Sequence, residues 1–476
     1  MKTTNRLSLR GYAATILILS CTGGLPDGAL AAEKLVPVIR GPWIQIAGNP
    51  DLGQYTKPGQ EPVDFAVWQA ADGTWQAWSC IRKTLCGGKT RLFHRWEGQQ
   101  LTQPNWKPMG MAMEADPSLG ETEGGLQAPH VVRVGDAFHL FYGDWNNICH
   151  ATSKDGKIFK RVIQPSGKTA MFSEGMGANT RDIMMIKIGS LWHGYYTAFP
   201  NSQGAVYLRT TTDFNRWSDS TVVAFGGITG TGGVSAECPH VVEKDGWFYL
   251  FRTQRYGPQN ITSVYRSADP KMFGINQDDR YLVTRMAIAA PEIVQHNGQD
   301  YIVALNLHLD GLRLAKLGWE PAPEVGEPVF ALGDASHRAQ WKVESGNLEA
   351  PLTKSTRTLF NPPQEYFVGT AELADRKFDD ARTGVIRSPE FTVTEGRYFA
   401  YVSGGSDMAR LYVSMVDAET GKELNRIHSL AQANPLEPQL VPVEGAIGRR
   451  VFLRIVDQAT EPWGHINFGG LHRVKR

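Results

Sequence analysis

Gln127-Ala128-Pro129-His130-Val131-Val132 and Glu237-Cys238-Pro239-His240-Val241-Val242 are two versions of one hexapeptide, and their reading decides the fold. Each passes through a short Gly-containing turn into an aromatic strand, Ala137-Phe138-His139-Leu140-Phe141-Tyr142 in the first case and Trp247-Phe248-Tyr249-Leu250-Phe251-Arg252 in the second. Apolar runs on either side of such a turn read as a hairpin. Three looser copies extend the series. Val63-Asp64-Phe65-Ala66-Val67-Trp68 leads into Asp72-Gly73, Arg181-Asp182-Ile183-Met184-Met185-Ile186 into Gly189, and Ala290-Pro291-Glu292-Ile293-Val294 into Asn297-Gly298. The five units start near residues 64, 127, 182, 237 and 290, with no sustained helical period between them. A repeated supersecondary unit of this kind predicts an all-β, five-bladed β-propeller over residues 40–320.

A second signature follows the aromatic strand in the middle units: Ser153-Lys154-Asp155 with Phe159, Thr211-Thr212-Asp213 with Trp217, and Ser267-Ala268-Asp269 with Phe273. An Asp here can accept backbone amides in a turn while the aromatic packs on the blade, so these carboxylates read as structural. The repeat stops after Trp319. Residues 321–340, with prolines at Pro321, Pro323 and Pro328, read as a linker. From residue 341 to 476, segments such as Arg397–Val402, Leu411–Val416 and Val451–Val456 predict strands of a β-sandwich.

With 476 residues the chain exceeds one ordinary core, in keeping with two domains. A net charge of +1 gives no electrostatic case for nucleic acid, and 50 Gly with 27 Pro favour turns over long helices. Lys2, Arg6 and Arg10, an apolar stretch from Tyr12 to Leu19 and Ala29-Leu30-Ala31 read as a signal peptide over residues 1–32 and predict a secreted or periplasmic protein. The bulky Leu19 argues against a lipid anchor at Cys21, and the chain has no other apolar stretch of membrane-spanning length. Of the remaining cysteines, Cys80 and Cys86 flank a short segment and leave a local disulfide open. Neither zinc-type spacing nor an axial cation's ligand set is visible, and no cofactor is called for.

A propeller gathers the inner strands of its blades around one axis, so polar residues opening several units converge. Asp64, Asp182 and Glu237 are the candidate catalytic residues. Carboxylates in one funnel suit glycosidic hydrolysis: one protonated acid serves the leaving oxygen, one carboxylate attacks or activates water, and a third orients the pair. Arg181, Gln127, His130, Trp145, His240 and Arg252 are candidate contacts to an oligosaccharide or polysaccharide, with Trp78 a second apolar face. The competing expectation for the aromatics and histidines is blade packing. Phe225-Gly226-Gly227-Ile228-Thr229-Gly230-Thr231-Gly232-Gly233 lacks the Lys-Ser/Thr of a phosphate loop and reads as a mobile loop leading into Glu237.

At these residues the chain resembles the five-bladed glycosidases of family 43, the arabinanases and xylosidases, and of family 32, the β-fructosidases. Glu237-Cys238-Pro239 looks like the fructosidase motif carrying the general acid, and Arg181-Asp182 like the Arg-Asp-Pro motif whose Asp stabilises the transition state while its Arg contacts sugar hydroxyls. By position in the first blade, Asp64 would be the nucleophile or general base. Asp64 is followed by Phe65-Ala66 and Asp182 by Ile183, where the fructosidase motifs have proline. Arg387-Ser388-Pro389-Glu390-Phe391, Ser403-Gly404-Gly405 and Trp463-Gly464-His465-Ile466-Asn467-Phe468 look like the sandwich appended to some fructosidase-related proteins. The resemblance implies a glycoside hydrolase acting on an arabinofuranoside or a β-fructofuranoside; the alternative is a propeller that binds carbohydrate without cleaving it.

Overall fold

The computed structural model describes residues 33–475 apart from 258, 259, 355–361 and 431. The leader expected at residues 1–32, with Cys21, lies outside the described residues. Five sheets of antiparallel, hairpin-linked strands form the blades, the third also taking Gly274–Ile275 in parallel beside Thr221–Phe225, and each repeat motif lies on or runs into the first, innermost strand. These inner strands are Glu61–Gln69, Gln127–Val134, Arg181–Ile188, Glu237–Lys244 and Glu292–His296. The fifth blade takes its outermost strand from the start of the fold, Leu35–Gly48, paired antiparallel with Gly311–Pro321. First and last strands of the repeat region thereby share one sheet, which opens at residue 35 rather than 40.

The Ser/Thr-x-Asp turns form as their chemistry predicts. Asp155 accepts from Ser153 Oγ at 2.7 Å and from the amides of Lys157 and Ile158 at 2.8 and 2.9 Å, and Asp213 and Asp269 make equivalent bonds to Asn215, Arg216 and Lys271. Their aromatics pack on the preceding blade. Phe159 meets Trp78 of blade one at 5.2 Å, Trp217 meets Phe141 of blade two at 6.3 Å, and Phe273 meets Tyr195 of blade three at 6.1 Å, all edge to face. Each turn is therefore a joint between blades, buried on the apolar face of the neighbour.

Residues 321–340 differ from the linker expected there. Val325–Pro328 pairs with the sandwich strand Ile466–Val474, and Phe330 and Leu332 are buried in the sandwich core with Trp341. Pro328 sits on this short edge strand, where no ladder donor is missed, while Pro321 closes the strand Gly311–Pro321 and Pro323 lies between the two strands. Two six-stranded sheets face each other across a core of Val413, Leu453, Ile455, Ile466 and Phe468. Two ion pairs tie this domain to the propeller, Glu320 with Arg397 and Arg285 with Glu437; Glu320 is also paired with Arg40 of its own blade. Cys80 and Cys86 are both free. The Cys80 thiol lies 3.3 Å from the Leu126 carbonyl and Cys86 lies 3.1 Å from Thr84 Oγ1, so the local bridge left open by the spacing is not formed.

Candidate active site

Five equivalent residues, Asp64, Ala128, Asp182, Cys238 and Ala290, adopt φ of 38°, 40°, 56°, 44° and 49° near the axial end of each inner strand. In the first four blades the hairpin register slips at this point, between Val63 and Phe65, Gln127 and His130, Arg181 and Met184, and Glu237 and His240. A bulge re-aims a strand's side chains, and left-handed backbone at a residue with a Cβ costs about 1–2 kcal/mol, so five copies mark a geometry maintained by the whole ring. All five line one axial cavity of about 20 Å³, room for about one water.

The ring corrects one detail of the sequence alignment. Asp64 and Asp182 were expected to open their units as Glu237 does, yet they share a register with Cys238, while Glu237 shares one with Arg181 and Gln127. The three carboxylates still meet. Arg181, buried, donates from Nη2 to Glu237 Oε1 at 2.7 Å and holds Nε 3.5 Å from Asp182 Oδ2. The Cys238 amide donates to Asp182 Oδ2 at 3.1 Å, and ligand atoms of Asp64, Asp182 and Cys238 lie within 4.8 Å of one another. That trio is a set compatible with a cation which the sequence did not reveal.

Burial dominates the site's electrostatics. It pushes Asp182 up to about 7, with Arg181 opposing and the charges of Asp64 and Glu237 adding to the rise. Glu237 is also raised, by burial first, against Arg181 and with Asp64 assisting. Burial and the neighbouring Asp64 likewise raise Cys238 and Tyr256 well above their usual ranges, so both keep their protons. They are the donors to Asp64 Oδ1, Cys238 Sγ at 3.2 Å and Tyr256 Oη at 3.0 Å. Arg91 stands 3.9 Å from Asp64 Oδ2 and lies over the Trp145 ring at 5.2 Å. Sequence reasoning missed Tyr256, Arg91 and the role of Cys238. Only Cys238 carried a usable signal, because placing Pro239 in register with Pro129 puts it in the slot of Asp182. Replacing Tyr256 by Phe removes a hydrogen bond to the Asp64 carboxyl group and is expected to lower kcat/KM about tenfold or more with melting temperature nearly unchanged, read from steady-state kinetics beside a thermal scan.

The remaining candidates fall into four places. Gln127 and Trp145 stand with the carboxylates: Gln127 is in register with Arg181 and Glu237, and Trp145 reaches the site through Arg91. Trp78 is enclosed between Trp68 and Phe159, in blade packing. Arg252 is fully enclosed and donates to the carbonyls of Ser235, Gly226 and Gly230 at 2.9, 3.3 and 3.4 Å. It supports the Gly-rich loop rather than standing at the mouth. That loop was expected to be mobile and is pinned: Asp278 accepts from Ile228, Asn276 from Gly227 at 3.0 Å, and the Gly233 carbonyl from Arg181 at 3.1 Å. A Cβ on Gly226 would lie 1.9 Å from Asn276 Oδ1, which explains glycine there.

His130 and His240 lie one step along the axis beyond the bulges, facing Glu292 of blade five. Their Nδ1 atoms stand 3.8 and 3.5 Å from Glu292 Oε2. Burial works to raise Glu292, but His240 and His130 outweigh it and hold it at about 2. A depressed carboxylate stabilises the fold above its unfolded value of 4.5, and that contribution is lost as pH falls toward 2. Replacing Glu292 by Gln is expected to cost about 3 kcal/mol near pH 6, measured by urea denaturation, with the deficit shrinking in acid.

No family model matches the chain, and no curated protein sequence matches it. The fold is a five-bladed β-propeller followed by a β-sandwich, with Asp64, Asp182 and Glu237 brought together at its axis. Among solved structures, the chain is similar to a thermostable family-43 glycoside hydrolase, with 16% identity, 56% of this chain and 92% of that one covered, and a TM-score of 0.40. It is also similar to a family-32 β-fructofuranosidase of Bombyx mori, with 13% identity, coverages of 93% and 94%, and a TM-score of 0.43. A family-43 arabinoxylan arabinofuranohydrolase of Bacillus subtilis matches with 12% identity, coverages of 88% and 96%, and a TM-score of 0.39.

Proposed function

We propose that the protein is an exported glycoside hydrolase that cleaves a furanoside, either an arabinofuranoside or a β-fructofuranoside, by carboxylate acid/base chemistry. The observation that carries this reading is the convergence of carboxylates from three different blades: Asp182 and Glu237 on the buried Arg181 guanidinium, and Asp64 beside Asp182. Asp64 acts as nucleophile or base, its charge oriented by Tyr256 and Cys238. Glu237 acts as general acid. Asp182 faces the positive charge that develops on the ring, and Arg181 binds hydroxyls and fixes both partners.

In the empty site the proton favours Asp182, because Glu237 makes the shorter contact to Arg181. A bound substrate reverses that order. Positive charge growing beside Asp182 favours its anion, and the leaving oxygen gives the proton on Glu237 an acceptor. Three buried acceptors near Arg181, namely Asp182 Oδ1, Gln127 Oε1 and Asn179 Oδ1, have no donor among the described residues. Sugar hydroxyls would supply the missing donors, which supports a polyhydroxylated ligand. Export is supported by the charged, apolar and small-residue succession of the first 32 residues.

The test is sugar release from a panel of arabinofuranosides, fructans and xylosides by the wild type and by the double variant Asp64→Asn/Glu237→Gln. Release by the wild type alone names the sugar. Sugar binding by both proteins with release by neither would replace hydrolysis with the carbohydrate-binding alternative.

A further inference from the structure

Away from the axis, a cleft of about 410 Å³ separates the outer strands of blades four and five from the sandwich. Its volume lies in the range of small-molecule sites, which favour domain boundaries. Arg285, Arg313, Arg397 and Arg426 line it, and no described carboxylate does. Three of these arginines are neutralised from behind: Arg285 by Glu437, Arg397 by Glu320 and Arg426 by Glu423. Arg313 is different. Its guanidinium stacks over Trp43 at 4.4 Å and makes no ion pair or hydrogen bond among the described residues; its buried Nε, like that of Arg285, has no acceptor. Burial lowers its pKa, the direction expected of a charge taken from water without a counter-ion.

A largely buried, unpaired guanidinium is costly, and its planar fork matches a carboxylate. Met286, Ile288 and Leu307 supply apolar wall on the propeller side, and Leu430 supplies it on the sandwich side. We propose that this cleft is a binding site for a small organic carboxylate with an apolar body, whose anionic end pairs with Arg313 and whose body lies on those walls. A neutral sugar would leave the guanidinium unpaired, and an inorganic anion would leave the walls wet. The site is independent of the axial carboxylates and of the proposed hydrolysis.

Calorimetric titration of the full chain with benzoate, benzyl alcohol and inorganic phosphate separates the contributions. Saturable benzoate binding is expected, at least tenfold tighter than either other probe and at least tenfold weakened by Arg313→Met. Without ligand, Arg313→Met is expected to melt at or above the wild-type temperature, because it removes an unpaired buried charge; Arg313→Lys keeps a charge without the fork and is expected to bind benzoate more weakly than wild type. Absence of benzoate saturation, equal affinity for benzyl alcohol or phosphate, unchanged binding by Arg313→Met, or a clear loss of its stability would each overturn the assignment.

Discussion

Replacing Glu237 by Gln is expected to lower kcat/KM about a thousandfold on an unactivated furanoside, within the range a positioned general acid contributes. The amide keeps an oxygen to accept from Arg181, so the guanidinium stays in place and the loss reads the proton rather than the contact. A leaving group that needs no proton provides the control. On a nitrophenyl furanoside the same variant is expected to fall by tenfold or less, because nitrophenolate departs unaided. Burial raises Glu237, so the wild type's alkaline limb of kcat/KM reports its coupled titration with Asp182, and that limb is expected to change in the variant. Unchanged hydrolysis of the unactivated substrate would remove Glu237 from the acid role.

Asp182→Asn is expected to separate activity from stability. Losing the anion opposite the developing ring charge costs about a hundredfold to a thousandfold in kcat, the size of one preorganised electrostatic contact. Stability moves the other way in alkali. The folded value of Asp182 is raised to about 7 from 3.8, so the folded state binds the proton more tightly than the unfolded state. The resulting stability is present below 3.8 and lost as pH rises through about 7. Asn carries no charge to desolvate. The variant is therefore expected to melt a few degrees above wild type at pH 8 and close to it at pH 5, in parallel thermal scans. A lower melting temperature at both pH values would mean that the carboxylate serves the fold.

Much of this architecture was legible because the repeat is written twice, once in the hexapeptide and once in the Asp turn. The blade count, the carboxylates and the sandwich strands follow from local patterns that tertiary contacts reinforce. The offset between Glu237 and the two aspartates was not legible, since a bulge adds a residue without changing alternation on either side. Arg252 and Gly226 were misread for a related reason. A fully enclosed arginine serving three carbonyls and an exposed one at a mouth leave the same letter in the sequence. Tyr256 and Arg91 reach Asp64 from segments outside the repeated hexapeptides, Tyr256 from the end of a blade-four strand and Arg91 from just before the third strand of Asp64's own blade.

The bulges imply a division of labour that reaches beyond this chemistry. Five left-handed sockets line one cavity, four of them at a bulge, and two hold only methyl groups, at Ala128 and Ala290. Because the kink is present in all five blades whatever side chain occupies it, it does not depend on what that side chain does. New groups can therefore be installed at the two vacant sockets by single exchanges on an unmoved frame, and the circle reads as an interchangeable set of tool holders of which three are loaded.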